Sequence, residues 1–269
     1  MSPSRRLAAL AGTVLLALAA AGCGVTDASS PDEPAIVRVA AASDLQLALP
    51  EVLEEIDPDV EVAVTYGSSG QFVQQIVNGA PFDLYLSADT GYVDRLVEAG
   101  AAEDADTFTY ATGRLVLWVP QDSPIDPTKG LEVLTDPGVR RVALANPEHA
   151  PYGRAAAAAL TAAGLDDDLA DRIVLGENVS QALDLVASGG ADAGIVAASL
   201  VAAGPMADQG RWWQLPPSAH PPLVQGGAVL SGARDVEATH AVREALLSAE
   251  GQDVLRRYGF GPAPQTEEG

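Results

Sequence analysis

Ile36-Val37-Arg38-Val39 runs into Ala40-Ala41-Ala42-Ser43-Asp44, and Val60-Glu61-Val62-Ala63-Val64 runs through Thr65 into Tyr66-Gly67-Ser68-Ser69-Gly70. Both stretches begin as β-branched, apolar runs that fit a pleated sheet. Both are followed by a helical pattern, so each places a serine where a strand hands over to a helix. The first turn of a helix leaves its N–H groups without intrahelical partners, and the helix dipole puts its positive end there. Such a turn holds an anion with neutral donors. Two of them on neighbouring strands can face one ligand, so the pair predicts an oxyanion binder.

The same alternation continues along the chain. Pro50 falls among Leu45, Leu49, Val52, Leu53 and Ile56, which share a helical face, so the regular helix is expected to start at the proline after a looser turn. Strands are expected at Asp83–Ser87, Arg114–Val119, Arg141–Ala145, Arg172–Leu175, Ala193–Val196, Arg211–Leu215 and Leu223–Leu230. Helices are expected at 71–77, 92–98, 153–163 and 179–188, several closed by glycine. A short helical stretch follows at 199–203, and a C-terminal helix spans 237–258 with a break near Gly251. The fold class is α/β, with mostly parallel sheets flanked by helices.

Residues 1–22 read as a targeting segment. Arg5 and Arg6 precede an apolar core, Leu7–Ala21, which at about 15 residues is short of the roughly 20 that span a bilayer. The small residues Ala20-Ala21-Gly22 before Cys23, the only cysteine, resemble a lipoprotein signal, with Ala20 where leucine is usual. Acylated Cys23 would anchor the chain outside the cytoplasmic membrane; ordinary secretion of a soluble, periplasmic form is the alternative. A lone cysteine leaves no intramolecular disulfide, so the fold must rest on its core. Residues 23–35 read as a polar tether and 263–269 as a polar tail. The formal charge is −22, and −24 without the two leader arginines. Nucleic acid is excluded as a nonspecific partner. The same charge opposes an approaching anion, so local donors must dominate at the site, helped by salt screening within about 10 Å.

Further stretches join the two serine turns. They are Gly79-Ala80-Pro81-Phe82-Asp83-Leu84-Tyr85-Leu86-Ser87-Ala88-Asp89, Asn146-Pro147-Glu148-His149-Ala150-Pro151-Tyr152-Gly153, Glu177-Asn178-Val179-Ser180-Gln181-Ala182-Leu183 and Ala191-Asp192-Ala193-Gly194-Ile195-Val196. In this order and spacing the six segments, from Val37 to Phe260, closely resemble the periplasmic or lipid-anchored molybdate-binding proteins of ABC importers. The resemblance implies a two-lobed periplasmic-binding-protein fold with the ligand in the interlobe cleft. Lobe one would be residues 36–116 and 223–262, and lobe two residues 117–222. It further implies that Ser43 and Ser69 give a hydroxyl and a backbone N–H, and that Tyr152 and Val179 give backbone N–H groups. Asn178 suits an N-cap before Val179. Some members place a ligand-contacting tyrosine after Gly-Ile-Val; this chain has Ala197 there, and the Tyr152 hydroxyl is a candidate substitute. Asp44, a carboxylate beside Ser43, is expected to cap the following turn or to bond across the lobes.

Molybdate is a proton-free dianion, so a wall of donors matches it without a countercharge. Hydrogen phosphate needs an acceptor and would leave its proton unpaired at about 1–3 kcal/mol. Tungstate is nearly molybdate's size, and sulfate is smaller. The expected function is therefore capture of molybdate, with tungstate also accepted, and delivery to an ABC permease with its ATPase by a monomer that touches the membrane only through its lipid anchor. No cofactor is expected, and no metal apart from the oxyanion itself, since His149 has no second histidine at ligand spacing. Alternatives are a binding protein for sulfate or another oxyanion, and an oxyanion sensor. A serine hydrolase is a third, disfavoured because Gly67-Ser68-Ser69-Gly70 does not fit Gly-x-Ser-x-Gly and no histidine is placed by sequence near a serine–acid pair. With no titrating contact group, affinity would hold from about pH 6 to 8.

Overall fold

The computed structural model describes residues 35–264, apart from 55 and 57–59. The expected leader, Cys23 and nearly all of the tether lie outside the described residues, as does residue 265 onward of the tail. Ten strands are described: β1 (Ala35–Ala42), β2 (Val60–Gly67), β3 (Leu84–Ser87), β4 (Ala102–Gly113), β5 (Leu115–Pro120), β6 (Val142–Ala145), β7 (Ile173–Gly176), β8 (Ala193–Ala197), β9 (Gly210–Gln214) and β10 (Leu223–Leu230). The helices are α1 (Leu49–Leu53), α2 (Ser69–Val77), α3 (Thr90–Glu98), α4 (Pro151–Ala163), α5 (Asp166–Leu169), α6 (Val179–Ala187), α7 (Val236–Leu247) and α8 (Ala249–Arg257), with 3-10 turns between.

The strands form two five-stranded sheets, ordered β2-β1-β3-β10-β4 and β7-β6-β8-β5-β9. Both are mixed in the same way. In the first, β1 pairs parallel with β2 and β3, while β10 pairs antiparallel with β3 and β4. In the second, β6 pairs parallel with β7 and β8, while β5 pairs antiparallel with β8 and β9. One strand in each sheet thus runs against the other four. The chain changes sheets at Arg114 and returns between Gln214 and Leu223. Leu115 and Val116, assigned from sequence to the first lobe, pair with Ala197 and Val196 in the second sheet.

Strand alternation builds the core of the first half. Val37, Val39 and Ala41 of β1 face one cluster with Leu49, Val242, Leu246 and Leu255, whereas Ala40 faces another with Phe72, Tyr92 and Val93. This is the period of two that sends alternate side chains to opposite faces. A third cluster unites β5, β6, β8, α4 and α6, and reaches Ala42 and Ala88 at the ends of first-sheet elements.

The short helix α5 is absent from the sequence reading, and two larger elements also differ from it. β4 has no counterpart in it: its acidic start, Glu103-Asp104-Ala105-Asp106, carries no strand pattern, and antiparallel pairing along β10 makes it a strand. The C-terminal helix breaks at Ser248, not near Gly251. Ser248 is extended, donates its hydroxyl to the Ala245 carbonyl and accepts the Gly251 N–H, so it ends one helix and caps the next. A Cβ at Gly251 would strike the Ala245 carbonyl, which accounts for the glycine.

Asp83 ties the first sheet together. Its buried carboxylate accepts the Arg38 amide at 2.7 Å, the Arg234 amide at 3.0 Å and the Arg234 guanidinium at 2.9 Å. Burial pushes the carboxyl up, but Arg234 and the two amides together hold it below the usual carboxylate value. Its stabilisation is therefore present at neutral pH and fades as pH falls through the depressed value. Asp83→Ala is expected to lower the unfolding free energy by about 2–4 kcal/mol in urea titrations, because two buried amides and a half-buried guanidinium lose their acceptor. A change under about 1 kcal/mol would show that water replaces the carboxylate.

Candidate functional site

The ends of β1, β2 and β3 in the first sheet face the N-termini of α4 and α6, which follow β6 and β7 of the second. Between them lies a hollow in which the centre of a water-sized sphere can move through about 10 Å³. Its wall includes Ser43, Ser69, Tyr152 and Val179, so the four residues singled out from sequence converge on one space from four different segments. The wall carries no lysine, arginine or histidine side chain. A hollow this small suits a ligand of a few atoms.

Both serines are buried, at 3% and 1% exposure, and neither hydroxyl caps its own helix. Ser43 Oγ accepts the Ser180 N–H at 3.3 Å, and Ser69 Oγ accepts the Ala88 N–H at 3.1 Å. Each hydroxyl hydrogen is left for an acceptor in the hollow. Ser69, Tyr152 and Val179 stand in the first turns of α2, α4 and α6, where amides have no intrahelical acceptor. Pro151 in the first turn of α4 brings no N–H of its own. Asn178 caps α6 by accepting the Gln181 N–H at 3.0 Å. Three helix N-termini thus aim at one small space.

Asp44 does not do what the sequence suggested. Its side chain makes no cap, and only its backbone carbonyl bonds across the halves, to the Ser199 hydroxyl at 2.8 Å. The carboxyl is fully buried in the wall with neither oxygen in a hydrogen bond. Burial pushes its pKa from 3.8 up to about 6, against the pull of the Tyr152 hydroxyl, nearby backbone amides and Gln225. The wall is therefore not made of donors alone, and one of its groups titrates near neutrality. The Tyr152 hydroxyl accepts from Gln225 Nε2 at 3.4 Å, and Gln225 Oε1 accepts the Tyr110 hydroxyl at 3.1 Å. The Tyr152 oxygen is thus engaged as an acceptor, and its hydroxyl hydrogen has no acceptor among the described residues, as at the two serines. Burial and the Asp44 charge drive Tyr152 well above the usual tyrosine value, and burial does the same to Tyr110. Ala197 is fully buried within β8 and is not part of the wall.

The halves are latched beside the hollow. The His149 carbonyl accepts the Gly70 N–H at 3.0 Å, the Ser68 hydroxyl at 2.6 Å and the Tyr92 hydroxyl at 3.2 Å. Arg154 donates to Asp89 and to Tyr92, and stacks on the Tyr92 ring at 4.9 Å. Ser180 donates to Gln46 at 2.8 Å, and Gln71 to Glu177 at 2.8 Å. The His149 ring lies 2.9 Å from Ser68 Oγ and 3.5 Å from Glu177, so folding brings together a serine, a histidine and an acid that the sequence left apart. The Ser68 hydrogen is held by the His149 carbonyl, and the serine is buried, which suits a latch and not a nucleophile. Among the described residues no group of three His, Cys, Asp or Glu side chains could hold a metal ion.

Residues 37–261 match the family model of bacterial extracellular solute-binding proteins. The chain belongs to that family. It is 32% identical to the molybdate-binding protein ModA of Azotobacter vinelandii over 85% of this chain and 91% of that one. With ModA of Rhodobacter capsulatus it shares 36% identity over 74% of this chain and 77% of the relative. A Bacillus subtilis protein named as an ABC transporter substrate-binding lipoprotein is 30% identical over 90% and 93%. The solved structure of the Azotobacter molybdate-binding protein superposes with a TM-score of 0.77, covering 85% of this chain and all of that one.

The latch gives a test at Gly70. A Cβ there would lie 2.6 Å from the His149 carbonyl of the other half, so the halves could not meet as they do here, and 2.5 Å from the Tyr92 hydroxyl of its own half, which would have to shift. Gly70→Ala is expected to weaken binding of any ligand in the hollow by about tenfold or more, near 1.4 kcal/mol or above. Equal affinity in titration calorimetry would show that this contact does not govern closure.

Proposed function

We propose that this chain is an extracytoplasmic binding protein that captures molybdate, with tungstate as a second ligand, and hands it to an ABC importer. The observation that carries the reading is the convergence of Ser43, Ser69, Tyr152 and Val179 on one small hollow without a basic side chain. Relatives named as molybdate-binding proteins over most of the chain support it. The role is capture, not turnover.

In this reading the first sheet with its helices forms one lobe and the second sheet the other, with crossings at Arg114 and between Gln214 and Leu223 acting as the hinge. The oxyanion is held through its oxygens. Ser43 and Ser69 donate their free hydroxyl hydrogens, and the first-turn amides at Ser69, Tyr152 and Val179 donate from three helices whose dipoles favour negative charge. Donors fixed before the ligand arrives need no reordering when it binds. The latch through His149 and Arg154 then stabilises the closed form that a permease would recognise. Anchoring through acylated Cys23 is part of the same proposal, supported by the signal-like residues before it and by the lipoprotein name of the Bacillus relative. The protein would work as a monomer.

Titration calorimetry at pH 7 of the soluble form beginning after Cys23 tests the reading. Molybdate and tungstate are expected to bind tightly, sulfate weakly, and phosphate least, since its proton finds no good acceptor. Preference for sulfate or phosphate would keep the fold and overturn the ligand. Ser69→Ala is expected to weaken molybdate binding by about 1–3 kcal/mol through loss of one donor to a desolvated dianion. Unchanged affinity would remove Ser69 from the site.

A further inference from the structure

Asp44 is a carboxyl with no hydrogen-bond partner among the described residues, fully buried in the wall of a hollow whose other polar groups are suited to an anion. A carboxylate there repels the ligand that the rest of the wall attracts. The groups around it ease the charge by less than burial penalises it, and none of them is a cation. Tyr152 on α4 and Tyr110 on β4 are neutral hydroxyls, Gln225 on β10 is a neutral amide, and Ser199 bonds only the Asp44 backbone. The N-terminus of α6, which packs on the Ser43–Leu45 turn, contributes a dipole. No lysine, arginine or histidine is among the groups that shift Asp44. Tyr152 and Ser199 lie on the second half of the molecule, so it is closure that completes the burial.

Resting on the molybdate reading, we propose that Asp44 enters the closed, occupied site as a neutral carboxylic acid, so that capture of a doubly charged oxyanion takes up one proton from solvent. The proton neutralises the carboxylate; no other bond changes. The neutral acid removes the negative charge from the wall and adds an O–H donor to it, which makes Asp44 a specificity residue. It favours proton-free dianions over hydrogen phosphate, which an ionised Asp44 would welcome by accepting the ligand's proton.

The sign follows from linkage. Burial already raises Asp44 from 3.8 to about 6 without ligand, and a dianion beside it raises it further. A group whose pKa is higher in the bound state strengthens binding at low pH, and that gain is lost as pH rises through the bound-state value. Affinity is therefore not flat from pH 6 to 8. His149 faces Ser68, Gln71 and Glu177 on the latch and is not among the groups around Asp44, so an Asp44 variant leaves it in place.

The test is titration calorimetry of the intact mature chain with micromolar molybdate from pH 5.5 to 8, in buffers of differing ionisation enthalpy. Uptake is expected to be small near pH 5.5, where the free carboxyl is already largely protonated, to rise toward one proton per ion between about pH 6 and the bound-state value and to decline above it, with affinity falling at least about tenfold across the range. Asp44→Asn should still bind, with no uptake and an affinity at pH 8 equal to or tighter than that of the unaltered protein. Molybdate binding by the unaltered protein without proton uptake at any pH would overturn the role of Asp44 alone, whether or not the variant folds. Tighter binding of hydrogen phosphate without uptake would show an ionised Asp44 and would overturn the molybdate reading as well.

Discussion

A small dianion buried without a countercharge must find hydrogen-bond donors that the protein has not already engaged, and the rest of this structure serves that requirement. Strand-to-helix turns supply such donors because a helix cannot satisfy its own first N–H groups. Three helices point these groups at one space, and two serine hydroxyls keep their hydrogens free because their oxygens are occupied as acceptors by Ser180 and Ala88. Placing the turns requires the order β2-β1-β3 in one sheet and β7-β6-β8 in the other, so the topology follows from the site as much as from the core.

The acidic surface is consistent with this arrangement. A net charge of −22 repels an oxyanion at long range. Salt confines that repulsion, whereas donors inside a dry hollow act at contact and in low dielectric. Closure then matters twice. It removes water from the donors, and it buries Asp44, whose charge would otherwise add to the repulsion.

Much of this was legible in the sequence, for a physical reason. Ser43, Ser69 and Asn178 sit at junctions between a strand period and a helix period, and such junctions are readable from local pattern. What escaped was non-local. β4 is a strand because β10 lies beside it, and its acidic start gives no sign of that. Ser68 comes from the first half and His149 and Glu177 from the second, so the three are brought together by packing between segments far apart in sequence. The break at Ser248 depends on a hydroxyl that serves two helices, and glycine drew attention three residues too late. Asp44 stood in plain view beside Ser43, yet local reasoning assigned it a cap or a bond across the lobes. Only the packing of Tyr152 and Tyr110 around it shows that its carboxyl is left without a partner.

The central claim is that Ser43, Ser69 and the helix N-termini at Tyr152 and Val179 enclose a molybdate ion. A crystal structure of the molybdate complex, with anomalous scattering recorded at the molybdenum edge, tests it most directly. The account predicts one strong anomalous peak within the hollow, its oxygens in hydrogen-bonding reach of both serine hydroxyls and the first-turn amides. A peak elsewhere, or none in crystals of protein that binds molybdate in solution, would contradict it.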